Sequence, residues 1–312
     1  MEFQIPLDEY SGVVNLVKLG KGNNEITVGG DCTLPFYSFD KKQESKPIIA
    51  IEIYDEVPGN WPACVSKYYS DVFSDPVLWA KKAISDFGAD AICLQLKSLS
   101  NDEPADYDSL ADLTLKLNNA IDKPLIVYGD GMLDGISEAL KKISEKNPNT
   151  NILLGFAEED NYKTVGAASI GYGNNLIASN PLDVNIAKQI NILLTQLGLP
   201  ADKIVMDPSS SSVGYGIEYS YSCIERLKIA AVLQNDKMTQ MPIINNLAKE
   251  VWKTKEVLES EENYPNWGDQ EKRAINFEVI TATSLMLAGS NILVMRHPKA
   301  ISIVKDIINE LF

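Results

Sequence analysis

The chain has 312 residues, 45% of them hydrophobic, which supports a sizeable core and argues against disorder as the default. Lys and Arg number 28 against 43 Asp and Glu, and the resulting formal net charge of −15 repels phosphate backbones, so nucleic-acid binding is not expected. The four cysteines (Cys32, Cys64, Cys93 and Cys223) form no CxxC pair and there is one histidine, His297, so no iron–sulfur cluster, histidine-rich metal centre or disulfide framework is expected on this chain.

The N-terminus, MEFQIPLDEY, lacks a basic region followed by an apolar one, and no apolar run is long enough to cross a bilayer, so a soluble cytoplasmic protein with no membrane partner is expected. Residues 13–30 read as two short strands around the turn Gly20–Asn24. Short runs rich in Ile, Val and Leu then alternate with helical patterns. The strand candidates are 47–54, 91–96, 124–129, 151–157, 175–180, 203–207, 242–246 and 291–296. The helix candidates are 75–88, 109–121, 133–147, 161–171, 182–198, 217–234, 273–289 and 298–311. The strands show little alternation, as expected when both faces of a parallel sheet are covered. Asp75-Pro76 and Asn180-Pro181 read as helix starts, and Gly88, Gly198 and Gly289 as helix ends. Eight such units predict an α/β fold, a (β/α)8 TIM barrel spanning 47–312, with residues 1–46 as a hairpin extension that packs on the barrel and plugs its floor.

In such barrels chemistry sits in the loops that follow the strands. Those loops hold Asp55, Glu56, Lys97, Ser98, Asp130, Glu158–Asp160, Asn180, Asp207–Ser212, Asn245, Asn246, Arg296 and His297. A wet rim carries polar residues in any barrel, so position alone assigns no function. The segment 55–76 is rich in aromatics (Trp61, Tyr68, Tyr69, Phe73) that either cover a flat ligand or pack back on the barrel. An insertion at 247–270 brings Trp252 and Trp267 to the same rim. His297, beside Pro298 at a helix start, suits a neutral capping role. No GxSxG elbow or GxxxxGK[ST] loop is present, so neither catalytic nor metal residues are assigned. The run IVMDPSSSSVGYG (204–216) offers hydroxyls and backbone amides beside a glycine turn, suited to a polar ligand or to helix capping alone.

The runs EITVGGDCTLPFYSFD (25–40), KPIIAIEIYDEVPGNWP (46–62), DPVLWAKKAISDFGADAICLQL (75–96), NPLDVNIAKQINILL (180–194), IVMDPSSSSVGYGIEYS (204–220) and MPIINNLAKEVW (241–252) resemble the small subunit of the corrinoid iron–sulfur protein, also called the acetyl-CoA decarbonylase/synthase delta subunit. The resemblance covers essentially the whole chain. It implies a heterodimer with a large subunit that carries the iron–sulfur cluster and the corrinoid (cobalamin), shared at this barrel's mouth. It implies transient partners as well: a methyltetrahydrofolate methyltransferase that supplies a methyl group and acetyl-CoA synthase that receives it, in the reductive acetyl-CoA pathway. The chain itself would be a non-catalytic subunit. The expected corrinoid-contacting residues are Asp130, Asn180, Asp207, Ser209, Ser210, Tyr215, Asn245 and Arg296, with Tyr215 or a mouth aromatic excluding water near the cobalt. The competing reading is a pterin-dependent methyltransferase barrel that binds methyltetrahydrofolate itself, through Asp130, Asn180, Asp207 and Asn245.

Overall fold

A computed structural model describes residues 6–35, 40, 45–101 and 105–312, so residues 1–5, 36–39 and 41–44 of the expected extension lie outside the described residues. Strands β1 (Val17–Leu19) and β2 (Ile26–Val28) pair antiparallel across a 3-10 turn at Gly22–Asn24. The barrel follows as β3 (Ile48–Tyr54), β4 (Ala91–Leu96), β5 (Leu125–Gly129), β6 (Leu153–Ala157), β7 (Asn175–Ser179), β8 (Ile204–Asp207), β9 (Ile244–Asn245) and β10 (Ile292–Met295). These strands are parallel in the order β8-β7-β6-β5-β4-β3-β10-β9. The last gap closes where Met206 bridges Ile243 and donates its N–H to the Pro242 carbonyl at 2.8 Å. All eight strand candidates are present; β9 is shortened to two residues.

The helices are α1 (Ala63–Ser66), α2 (Pro76–Ser85), α3 (Tyr107–Ala120), α4 (Leu133–Lys146), α5 (Tyr162–Tyr172), α6 (Val184–Leu197), α7 (Ile217–Val232), α8 (Leu247–Val251), α9 (Lys255–Leu258), α10 (Gln270–Ala288) and α11 (Pro298–Leu311). Asp75 caps α2 through the N–H groups of Val77 and Leu78, with Pro76 in the first turn, as the sequence indicated. The start of α6 differs from expectation. Its cap is Asp183, which accepts from Asn185 and Ile186, whereas Asn180 and Pro181 sit in the preceding turn. An Asp three residues downstream offers the orphan N–H groups a charged acceptor, and that stronger cap wins.

The two-residue period of the strands divides the core. Ile49, Ile51, Ile53, Leu94 and Val127 join one buried cluster with Trp79, Ala83 and other helix residues. Ala50, Cys93, Ile126, Leu153, Ile177, Val205, Ile244 and Val294 form a second cluster inside the barrel, completed by Val17, Leu19 and Val28 of the hairpin. Asn175 Nδ2 donates to the Lys18 carbonyl at 2.7 Å and Asn151 Nδ2 to that of Gly20 at 3.0 Å, fixing the hairpin to the bottom ends of β7 and β6. Nearby, buried Lys228 of α7 pairs with Asp31, and Asn291 Nδ2 reaches the same carboxylate at 2.8 Å. The barrel is thus plugged from below, and its open end is the mouth.

Candidate functional site at the barrel mouth

Polar side chains inserted into the strands form a layer beneath the mouth. Glu52 in β3, Gln95 in β4, Tyr128 in β5, Asp207 ending β8 and Arg296 following β10 are all buried. Arg296 Nε donates to Glu52 Oε1 and Nη2 to the Tyr54 hydroxyl at 2.8 Å. Its guanidinium lies 4.1 Å from the Trp61 ring centroid and 5.3 Å from that of Trp252. Such cation–π contacts are stronger when desolvated. The aromatic segment 55–76 therefore packs back on the barrel: Trp61 and Phe73 form edge contacts with Trp79, Tyr69 meets it at a tilt, and Tyr69 donates to the Arg296 carbonyl at 2.7 Å. From helix α10, Glu278 accepts the backbone N–H groups of Arg296 (2.5 Å) and His297 (3.0 Å). Burial raises the Glu278 carboxyl to about 7 against those two hydrogen bonds. His297 is buried, held neutral by burial with a pKa of about 4, and its Nδ1 accepts the Lys299 N–H at the start of α11. It caps the helix, as its position beside Pro298 suggested.

Two depressions open above this layer. The first, ≈ 310 Å³, lies between the ends of β3, β4 and β5 and helix α8, lined by Tyr54, Lys97, Asp130, Lys249, Lys253 and Arg296 among others. Asp130 holds two ammonium groups, Lys97 and Lys249, the latter at 3.1 Å. Partial burial would raise its pKa, but the two lysines outweigh that and hold the carboxyl below its usual range. The second depression, ≈ 190 Å³, adjoins the first at Lys249 and is lined by Tyr128, Phe156, Asp207, Ser209, Ser210, Asn246 and Glu250 among others. Burial raises Asp207 to about 6, opposed by the Tyr128 hydroxyl and the Ser209 N–H (3.0 Å) that it accepts.

The serine loop is a built turn. Ser209 adopts φ +61°, uncommon for a residue with a side chain, and its Oγ donates to the Asn180 carbonyl at 2.8 Å. The Asn180 N–H returns to the Asp207 carbonyl at 3.0 Å, lacing the ends of β7 and β8 together. Asn245 Nδ2 donates to Ser210 Oγ at 3.1 Å. Buried Oδ1 atoms of Asn180, Asn245 and Asn246 have no hydrogen-bond partner among the described residues. Orphaned amide oxygens of this kind are rare enough to call for a ligand, a water or strain.

Of the eight expected site residues, Asp130 and Arg296 line the first depression and Asp207, Ser209 and Ser210 the second. Asn180 and Asn245 lie just behind the serine loop. Tyr215 lies away from both depressions: it is 50% exposed and donates to Glu256 at 2.6 Å. Sequence reasoning missed Glu52, Tyr128, Lys249 and Lys253. Glu52 and Tyr128 were hidden in the apolar runs IAIEIY and LIVYG, where a lone polar group pointing inward was the available signal. Lys249 and Lys253 sit in the insertion, to which no secondary structure was assigned and part of which folds as α8. Among the described residues no group of three or more His, Cys, Asp or Glu side chains is placed to hold a metal ion, and no helix is long and apolar enough to cross a membrane.

The family described as CO dehydrogenase/acetyl-CoA synthase delta subunit matches residues 16–307. The acetyl-CoA decarbonylase/synthase complex subunit delta of Archaeoglobus fulgidus is 33% identical over 99% of this chain and 71% of its own length. The subunit delta 1 of Methanosarcina thermophila is 31% identical over 94% of this chain and 68% of its own. Among solved structures, the dihydropteroate synthase of Xanthomonas albilineans with 4-aminobenzoic acid superposes with a TM-score of 0.59 at 11% identity, covering 95% of this chain and 98% of that one. The Thermus thermophilus dihydropteroate synthase gives 0.55 at 13% identity, covering 95% and 100%. At such identities the likeness speaks for the barrel fold.

Proposed function

The chain belongs to the CO dehydrogenase/acetyl-CoA synthase delta subunit family, and from that premise we propose that it is the small subunit of a corrinoid iron–sulfur methyl carrier whose barrel mouth covers a corrinoid held by the large subunit. The single observation that carries this reading is the serine-loop depression with its orphaned amide oxygens. Oδ1 of Asn246, in the depression wall, and Oδ1 of Asn180 and Asn245, behind it, lack donors, and a corrin ring is fringed with carboxamide N–H groups. The corrinoid, when bound, supplies the metal centre for methyl transfer. The protein's part is binding, orientation and exclusion of water. Ser210 and Asn246 face the ligand, Asn180 and Ser209 hold the loop that presents them, and the Trp61–Arg296–Trp252 stack walls off solvent beside it. The transient partners are a methyltetrahydrofolate-dependent methyltransferase and acetyl-CoA synthase.

One observation favours a second reading, direct binding of methyltetrahydrofolate: the buried Asp207 and Tyr128 line the depression, and a carboxylate there can accept the N–H edge of a heterocycle. The readings separate in one experiment. The purified chain is tested for methyltetrahydrofolate binding and for methylation of free cobalamin, then co-expressed with the large subunit and assayed for corrinoid by its visible absorption. The subunit reading expects corrinoid only in the heterodimer. Micromolar methyltetrahydrofolate binding with cobalamin methylation by the chain alone would overturn it.

A further inference from the structure

The first depression is chemically unlike the second, and the difference points to a particular ligand group. Its walls carry four cations, Lys97, Lys249, Lys253 and Arg296, against two carboxylates, Glu56 and Asp130, on a chain whose net charge is −15. Asp130 is shared by two ammonium groups, which holds both at the cleft and leaves one positive charge in excess. Lys253 is paired with Glu250 one turn earlier on α8, and Arg296 with Glu52 behind it, so the remaining attraction is directional more than net. Arg296 supplies the direction. It is 4% exposed, clamped by Glu52, Tyr54 and the two indole rings, and donates its Nε hydrogen and one of the two on Nη2 to Glu52 and Tyr54, so that Nη1 has no hydrogen-bond partner among the described residues and belongs to a residue that lines the cleft. A guanidinium pre-set in this way loses little conformational freedom on binding an oxyanion. Lys97 Nζ lies 5.2 Å from the Tyr54 ring centroid, the same tyrosine whose hydroxyl accepts from Arg296, so the donors meet over one small floor.

We infer that this cleft is a subsite for a phosphoryl group, a phosphate ester or diester, bound by Lys97, Lys249, Lys253 and Arg296 beside the serine-loop depression. Donors converging from the ends of β4 and β10 and from α8 suit the several oxygens of a tetrahedral phosphate better than a planar carboxylate, which one Arg fork satisfies. The volume, ≈ 310 Å³, admits such a group with part of the ester attached. A free phosphate compound and the phosphodiester in the nucleotide loop of a complete corrinoid share this chemistry; the second source rests on the corrinoid reading above, the subsite itself does not.

The test has two arms. The full chain at low ionic strength is titrated with inorganic phosphate, followed by phosphorus NMR line broadening, with sulfate and acetate as competitors. Saturable broadening, reversed by sulfate and not by equal acetate, is expected. Lys249→Gln and Lys253→Gln should each weaken it at least fivefold, while Lys142→Gln on the outside of α4 leaves it unchanged. Absence of saturation, equal competition by acetate, or wild-type affinity in Lys249→Gln would overturn the subsite. In the second arm the heterodimer is loaded with cobalamin or with cobinamide, which lacks the phosphodiester. Selective loss of cobalamin retention in Lys249→Gln assigns the site to the corrinoid's phosphodiester; undiminished retention of both assigns it to a free phosphate compound. Failure of the heterodimer to hold either corrinoid, with phosphate binding intact in the first arm, would refute the corrinoid reading and leave the subsite standing.

Discussion

Replacing Arg296 with Met tests the layer that supports the mouth. The side chains of Arg296 and Glu52 are 5% and 1% exposed, so the substitution leaves a carboxylate in the barrel interior with no cation. Among the described residues one oxygen, Oε2, already lacks a partner, and Oε1 loses the donor it has, the Arg296 Nε. Breaking one member of a buried pair costs about 3–5 kcal/mol. The guanidinium also lies over Trp61 and Trp252, and losing such contacts adds about 0.5–2 kcal/mol, part of which the polarisable Met returns. A loss of about 4 kcal/mol is expected for Arg296→Met. Adding Glu52→Gln removes the stranded charge, and the double variant should recover to within about 2 kcal/mol of wild type. Urea unfolding of the four proteins, read by tryptophan fluorescence, closes the cycle. A single variant within about 1 kcal/mol of wild type, or a double variant as unstable as the two singles summed, would refute the claim that the charges depend on each other.

The buried Glu278 makes stability pH-dependent. Its folded pKa of about 7 lies above the ordinary 4.5, so its contribution is fully present below about 4.5 and is lost as pH rises through 7. The stability difference between wild type and Glu278→Gln should therefore shift towards the glutamine variant by about 3 kcal/mol from pH 4.5 to 7.5, measured by paired urea melts; a constant difference would contradict it. Lys228→Met strands Asp31 at the barrel floor and should cost about 3 kcal/mol, with limited proteolysis cutting first within the N-terminal extension. Gly131→Ala places a Cβ 2.4 Å from the Leu99 carbonyl at φ +121°, and should displace the Asp130 loop and destabilise by more than about 1 kcal/mol in thermal melts. Ser210→Ala, which removes only the hydroxyl that accepts from Asn245, should leave the melting temperature within a few degrees of wild type yet lower corrinoid retention in the heterodimer.

The barrel was legible because eight runs such as IIAIEIY and AICLQL carry the mostly apolar, little-alternating pattern of strands covered on both faces, and because Asp75-Pro76 and Gly198 punctuate helices in the ordinary way. The same uniformity concealed the site. Glu52, Gln95 and Tyr128 look like interruptions of a hydrophobic strand until closure of the ring turns alternate residues inward and brings Glu52 to Arg296, 244 positions away in the chain. The serine run lies at the mouth as expected, but its hydrogen bonds belong largely to the turn: Ser209 serves Asn180, while Ser210 accepts from Asn245 and lines the second depression with Asn246. Tyr215 followed from nearness in sequence to those serines. The left-handed Gly214 and Gly216 flank it in the turn that leads into α7, and its hydroxyl ends on Glu256. Lys249 was not readable, because an insertion's own helix decides which of its lysines looks inward.

Hydrogen exchange of the mouth loops tests the central claim most directly. The chain is mixed with its large subunit in corrinoid-loaded and corrinoid-free forms, and amide protection is compared between the two. Covering of the corrinoid by this barrel requires added protection in residues 209–212 and 246–250 that appears only with the loaded partner. Protection confined to the outer helices, or identical with and without corrinoid, would contradict it.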